Sequence, residues 1–229
     1  MANKVYPASY VKDIDNTFKE NQNAENAKEM KRYMKDKFDF YGIKAPDRRK
    51  LVKEYLKKEN RPAYENLDIV TKKLWQLPHR ENQYFTVELL QKYNKEFEEE
   101  IIKLFEYMIT NKSWWDTVDA ISKKIVGEYF KIYRKNIDKY MEKWINSDNI
   151  WLKRTTLLFQ LGYKEKTDEK LMFELIGRLK NEDEFFVQKA IGWALREYSK
   201  INPEKVKQFV ENTELSNLAK KEGLKRIKR

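Results

Sequence analysis

Apolar side chains in this chain recur three and four residues apart, and that spacing admits little besides α-helix. Within Glu96–Thr110, Ile101, Leu104, Phe105 and Met108 keep helical spacing with Glu and Lys between them. Met172, Leu175, Ile176 and Leu179 repeat the pattern. Leu152–Tyr163 and Phe185–Tyr198 lack alternation of period two, so no strand is expected. Breaks fall at Asn21–Asn26, Gly42–Pro46, Arg61–Tyr64, Leu77–His79 and Asn111–Ser113 in the first half. Further breaks fall at Ser147–Asn149, Glu165–Asp168, Asn181–Asp183, Asn202–Pro203 and Asn212–Ser216. Several offer an Asn, Asp or Ser as a helix N-cap, which predicts about a dozen helices joined by short loops.

The helical segments themselves recur. A step of 35 residues from Asp119 reaches Arg154 and then Lys189, and a step back reaches Tyr84. Gly127 and Gly162 are also 35 apart. A period near 35 with two helices per unit marks an α-solenoid, because such a unit leaves an apolar face that only a stacked neighbour covers. In a regular stack Tyr84, Asp119, Arg154 and Lys189 would look into one curved face. No Gly/Ser/Pro linker divides the chain, so a single domain over residues 1–229 is expected.

Composition closes many routes to chemistry. There are no cysteines, which removes disulfide scaffolds, thiolate metal sites and cysteine nucleophiles. The single histidine, His79, cannot form a two-histidine zinc motif and is expected in a loop after Pro78. Six glycines are too scattered for a Walker loop or a dinucleotide fingerprint. The longest stretch without Asp, Glu, Lys or Arg is Thr155–Tyr163, nine residues, whereas a membrane-spanning helix needs about 20 apolar ones. The start, Met1 to Pro7, has no secretory pattern, so a cytoplasmic protein is expected. The 48 Lys and Arg outnumber 37 Asp and Glu, a net charge of +11 that suggests an anionic partner.

Three segments hold the candidate chemistry. In Asn111–Asp119, Trp115 and Asp119 stand at i and i+4 on one helix face, while Trp114, Val118 and Ile121 make a more apolar one. Trp115 is then either a groove-filling aromatic or an indole beside a working carboxylate. In Asn149–Arg154, Arg154 lies one turn beyond Trp151 and one period beyond Asp119. It could pair with Asp119, hold a phosphate through its planar fork, or do both. In Lys189–Arg196, Lys189, Trp193 and Arg196 form one stripe, with Ile191, Leu195 and Tyr198 opposite. A tryptophan between two cations suits either a surface where aromatics touch sugar or base and cations touch phosphate, or a buried-edge indole covered by long basic stems. The tail from Lys220 to Arg229 carries six cations and one acid, and either supports phosphate contacts or is a solvated end.

Together these segments resemble the DNA alkylation repair glycosylases of the AlkD type. The resemblance is carried by Ser113-Trp114-Trp115-Asp116-x-Val118-Asp119 and by Ser147-Asp148-Asn149-Ile150-Trp151-Leu152-x-Arg154. It continues through Phe185-Phe186-x-Gln188-Lys189-Ala190-Ile191-Gly192-Trp193-x-Leu195-Arg196-Glu197-Tyr198. Arg32-Tyr33-Met34-Lys35 and Gly42-Ile43-x-x-Pro46-x-Arg48-Arg49 fit the same family. The similarity runs from about residue 20 to 225. It implies an all-α, right-handed solenoid of about six HEAT-like helical pairs, C-shaped with a basic concave face. It implies excision of cationic N3- or N7-alkylated purines from duplex DNA without moving the base into a protein pocket, unlike most glycosylases. By position it assigns the catalytic carboxylate to Asp119, with Trp115, Arg154 and Trp193 in the catalytic set. DNA contacts are expected from Tyr33, Arg48, Arg49, Lys112, Trp151, Lys189 and Arg196. Two departures, Lys44-Ala45 before Pro46 and Gly162 where a lysine can occur, bear on local backbone contacts.

The chemistry suits the residues. Alkylation makes the purine a cationic leaving group, and bond breaking moves positive charge onto the deoxyribose. A nearby carboxylate stabilises that charge and can position water, and an indole face adds cation–π stabilisation. No cofactor, metal or nucleotide is required, and the expected partner is alkylated double-stranded DNA bound by a monomer, with no membrane. The competing readings are a non-catalytic DNA-binding relative of the same fold and a HEAT-like protein-binding scaffold.

Overall fold

Helices start where the capping residues stand. In the computed structural model, which describes residues 5–227, Asn23 Oδ1 accepts the amide of Asn26 at 2.9 Å and Asn149 Oδ1 that of Trp151 at 2.9 Å. Asp168 Oδ1 accepts from Leu171, Asn202 Oδ1 from Lys205 and Ser216 Oγ from Ala219, at 3.0, 3.2 and 3.1 Å. Each bond satisfies an amide that the first helical turn leaves without a partner. All five caps lie at breaks read from the sequence. Pro7, Pro46 and Pro203 sit in the first turns of their helices, where no intrahelical donor is lost.

The described residues form fourteen α-helices and no strand; an isolated bridge joins Asp39 to His79. The chain divides into two compact units, one up to Phe97 and one from Glu98 onward. The first holds α1 (Pro7–Glu20), α2 (Ala24–Tyr33), α3 (Ala45–Leu51), α4 (Leu67–Gln76) and α5 (Arg80–Gln91). The second begins with α6 (Ile102–Thr110), α7 (Trp115–Ile121) and α8 (Gly127–Ile132), the last two joined through a wide π turn at Ser122–Val126. It continues with α9 (Ile137–Ile145), α10 (Ile150–Leu158), α11 (Glu169–Leu179), α12 (Phe185–Tyr198), α13 (Pro203–Asn212) and α14 (Asn217–Gly223).

The helix starts keep the period. α5, α7, α10 and α12 begin at Arg80, Trp115, Ile150 and Phe185, each 35 residues after the last. α4, α6 and α9 begin at Leu67, Ile102 and Ile137 with the same step. Within the second unit α10 packs on α7 and on α12, and α12 packs on α14. These four helices form a row, and α7, α10 and α12 carry Asp119, Arg154 and Lys189 at the same place, the fifth residue of each.

Burial follows the apolar pattern. In the first unit α1 packs on α4 and α5, and Ile14 and Phe18 of α1, Leu74 and Trp75 of α4 and Phe85 of α5 are all fully buried. In the second, Leu104, Phe105, Met108, Met172, Leu175, Ile176 and Leu179 are core, as their spacing predicts. Ile101 is only half-buried, because a 3-10 turn over Glu99–Ile101 precedes α6 and Ile102 takes the first core place. His79 caps α5 through its backbone, and its ring stacks on Tyr41 at 3.8 Å. Among the described residues no helix is long and apolar enough to cross a membrane. The first four residues, and Lys228 and Arg229 of the basic tail, lie outside the described residues.

Candidate functional site

Trp115 opens α7, and Asp119 follows one turn later; both are half-buried. Arg154, at the fifth position of α10, points its guanidinium at Asp119. Nε donates to Oδ1 at 2.6 Å and Nη2 to Oδ2 at 2.9 Å, a two-pronged pair that fixes the carboxylate plane. Nη1 donates to the carbonyl of Phe186 at the start of α12. The single arginine thereby ties α7, α10 and α12, and its side chain is only 5% exposed. Of the roles open to Arg154 in the sequence, the structure realises pairing with Asp119. Burial pushes the Asp119 carboxyl above the usual carboxylate range, against the opposing pull of Arg154.

Beneath the pair lies a buried hydroxyl link. Ser122 Oγ is 2.7 Å from the Val118 carbonyl and 3.0 Å from Thr155 Oγ1, which in turn is 2.8 Å from the Trp151 carbonyl. Two hydroxyl protons serve three gaps, so the link joins α7 to α10 next to the ion pair while one gap stays without a proton. The sequence signal for it was a Ser and a Thr standing in otherwise apolar helix faces.

Aromatic rings gather at the N-terminal ends of three helices of the row. Trp114 is the extended residue before α7, not a residue of the helix, so its ring escapes the helical face shared by Val118 and Ile121. It lies 5.7 Å from the ring of Trp151 and 5.1 Å from that of Phe186, with Trp151 and Phe186 5.0 Å apart. Trp151 is 8% exposed. The second position of α10 sets this indole, an expected DNA contact, against Trp114 and Phe186, where it packs. Phe185 stands exposed at the edge of this cluster against Phe186.

α12 carries the expected stripe. Ile191 and Leu195 are buried, while Lys189, Trp193 and Arg196 are half-buried. Tyr198 departs from the apolar side; it is half-buried and its hydroxyl donates to Glu169 at 2.8 Å. Lys189 and Arg196 both meet one acid of α14, Glu222. That partner was missed in the sequence, although its signal was present as the lone acid among the tail's six cations.

Residues of the first unit divide sharply. Tyr33 and Arg49 are exposed. Arg48 is buried, paired with Glu88 at 2.9 Å, and its guanidinium lies 4.8 Å from the centre of the Tyr84 ring. Glu88 thus offsets, inside the unit, the charge of a residue expected to contact DNA. The loop before α3 is held from below by fully buried Glu81, which accepts the amides of Tyr41, Gly42 and Ile43 at 3.0, 2.9 and 3.1 Å. Lys44 is exposed as the residue before α3. In the second unit Lys112 is half-buried in a left-handed backbone conformation. Gly162 has φ +99°, a conformation that a lysine there would adopt only under strain. Among the described residues no group of three or more His, Cys, Asp or Glu side chains could hold a metal ion.

The fold defines the class first. The chain superimposes on AlkD2 from Streptococcus mutans with a TM-score of 0.66 over 98% of this chain and 100% of that one, at 18% identity. It superimposes more closely on a protein from Enterococcus faecalis described as a predicted DNA alkylation repair enzyme. There the TM-score is 0.85 and the identity 36%, covering 91% of this chain and 97% of the other. Residues 14–227 match the family model described as DNA alkylation repair enzyme, and the chain belongs to that family. A comparison with curated proteins returns no match.

Proposed function

We propose that this protein is a monofunctional DNA glycosylase that hydrolyses the N-glycosidic bond of cationic N3- and N7-alkylated purines in duplex DNA. The observation that carries the reading is the Asp119 carboxylate, gripped by both prongs of buried Arg154 one helical turn from Trp115. The bond from C1′ to the purine nitrogen breaks with its electron pair leaving on the purine, which neutralises the base. The deoxyribose becomes oxocarbenium-like. Asp119 stabilises that cation and orients the water that adds to C1′, whose proton passes to the carboxylate or to solvent. The products are a free alkylpurine and an abasic sugar. Arg154 is a positioning residue here, holding the carboxylate plane without touching substrate.

Trp115 and Trp193 supply indole faces for the sugar and backbone. Lys112, Lys189, Arg196, Arg49 and Tyr33 supply contacts to the strands, and the base stays in the duplex. Neutral lesions, which lack an activated leaving group, are poor substrates. The deciding experiment is Asp119→Asn, which keeps the side-chain shape. Release of 7-methylguanine from methylated duplex, followed by chromatography of free bases, falls about a hundredfold or more. Affinity for undamaged duplex stays little changed. Equal release by the variant and the wild type refutes the role of Asp119.

A further inference from the structure

α14 sets one acid between two cations of α12. Glu222 Oε1 lies 3.0 Å from Lys189 Nζ, and its other oxygen accepts from Arg196 Nη1. The approach is built into the backbone. A Cβ on Gly192 would fall 2.5 Å from the Cβ of Glu222 and 3.1 Å from the Ala219 carbonyl oxygen, so only glycine lets α14 settle on α12 here. Gly192 lies three residues after Lys189 and four before Arg196, which brings both cations to the carboxylate seated over it. Trp193 is the next residue. The hydrogen bond from Lys189, and the charge of both cations, hold the Glu222 carboxyl below the usual range. The acid therefore stays ionised between the cations.

A carboxylate presents to an ammonium or guanidinium the same charge and the same acceptor oxygens as a phosphate. We propose that Glu222 is an internal counter-charge that sets DNA affinity, holding the donors that Lys189 and Arg196 would give a DNA phosphate. The proposal rests on the reading of those two cations as DNA contacts. A phosphate reaching them must share them with Glu222 or displace it, and two anions a few ångströms apart repel. At a partly exposed site this repulsion is worth about tenfold in affinity. Its effect is loose binding to undamaged DNA, from which the protein can depart.

The test is Glu222→Gln, which keeps the shape and removes the charge. Affinity for a short undamaged duplex, read by fluorescence anisotropy at low salt, should rise about tenfold. The slope of log K against log salt should steepen by about 0.9 for each further phosphate that the freed cations neutralise. In a Lys189→Ala/Arg196→Ala background the same change should move affinity by less than about twofold, because the coupling is gone. Glu222→Asp, a milder change that serves if the Gln variant does not fold, should raise affinity by about twofold to threefold. A folded Gln variant with unchanged or weaker affinity overturns the proposal. If instead the double alanine variant binds DNA as tightly as the wild type, the DNA-contact reading of Lys189 and Arg196 fails. The glycosylase reading stands or falls separately, on Asp119→Asn.

Discussion

Two of the ionic contacts between helices of the second unit are arranged in opposite senses. Asp119 of α7 meets Arg154 of α10; Lys189 and Arg196 of α12 meet Glu222 of α14. In the first contact the arginine side chain is 5% exposed and the acid 14%. In the second the acid is 15% exposed, and the cations are the open members at 35% and 24%. The two acids are about equally exposed; what differs is the partner, a deeper arginine behind the carboxylate in the first contact and two more open cations over it in the second. The carboxyl groups respond in opposite directions: burial raises that of Asp119, and the Lys189 hydrogen bond leads the lowering of that of Glu222. One architectural device thus serves both proposals, a cation stabiliser at Asp119 and a phosphate anchor at Lys189 and Arg196, according to which partner lies deeper.

Breaking the first contact should have the largest effect. Arg154→Met leaves a sheltered carboxylate without its charge partner and should cost about 3–5 kcal/mol in urea unfolding. Release of methylated base should fall with it, since Asp119 then ionises less readily. Gly192→Ala tests the second contact through the backbone. The added Cβ pushes α14 off α12, which should cost about 1–3 kcal/mol by thermal unfolding. It should also raise DNA affinity in the same direction as Glu222→Gln; a variant as stable as the wild type would show that the close approach is not what holds α14.

Acidity sharpens the contrast with the smallest effects. In the proposed mechanism excision needs ionised Asp119, so the single-turnover rate should fall as pH drops through its raised value, with a limb above the ordinary aspartate value of about 3.9. For stability the signs differ. A raised carboxyl contributes stability present below about 3.9 and lost as pH rises through its folded value. A depressed one, as at Glu222, contributes stability present above about 4.3 and lost as pH falls through its folded value. Urea titrations of Asp119→Asn and Glu222→Gln against wild type, from about pH 3 to 7, should give difference curves of opposite slope. Parallel curves would break the comparison.

Much of the fold is legible in the residues because its causes are local. Asn149, Asp168, Asn202 and Ser216 stand at the breaks and cap the helices that follow, since a side-chain oxygen satisfies an amide only two or three residues away. The step of 35 from Asp119 to Arg154 is legible too, and the structure turns it into a bond. Trp151 and Arg48 were not legible as packing residues. An indole or a guanidinium reads alike in sequence whether it faces solvent or a neighbouring helix. What buries them are Trp114 and Phe186 in one case and Glu88 and Tyr84 in the other, all remote along the chain.

By itself the amino-acid order determined an all-helical chain of fixed period, with an acid and an arginine at matching places in consecutive units. These follow from apolar spacing and capping, which act over a few residues. Only the tertiary structure decided which member of each charged pair is sheltered and that Glu222 closes on Lys189 and Arg196. Burial and charge pairing depend on what other helices bring alongside, and here a missing Cβ at Gly192 sets how near α14 can come.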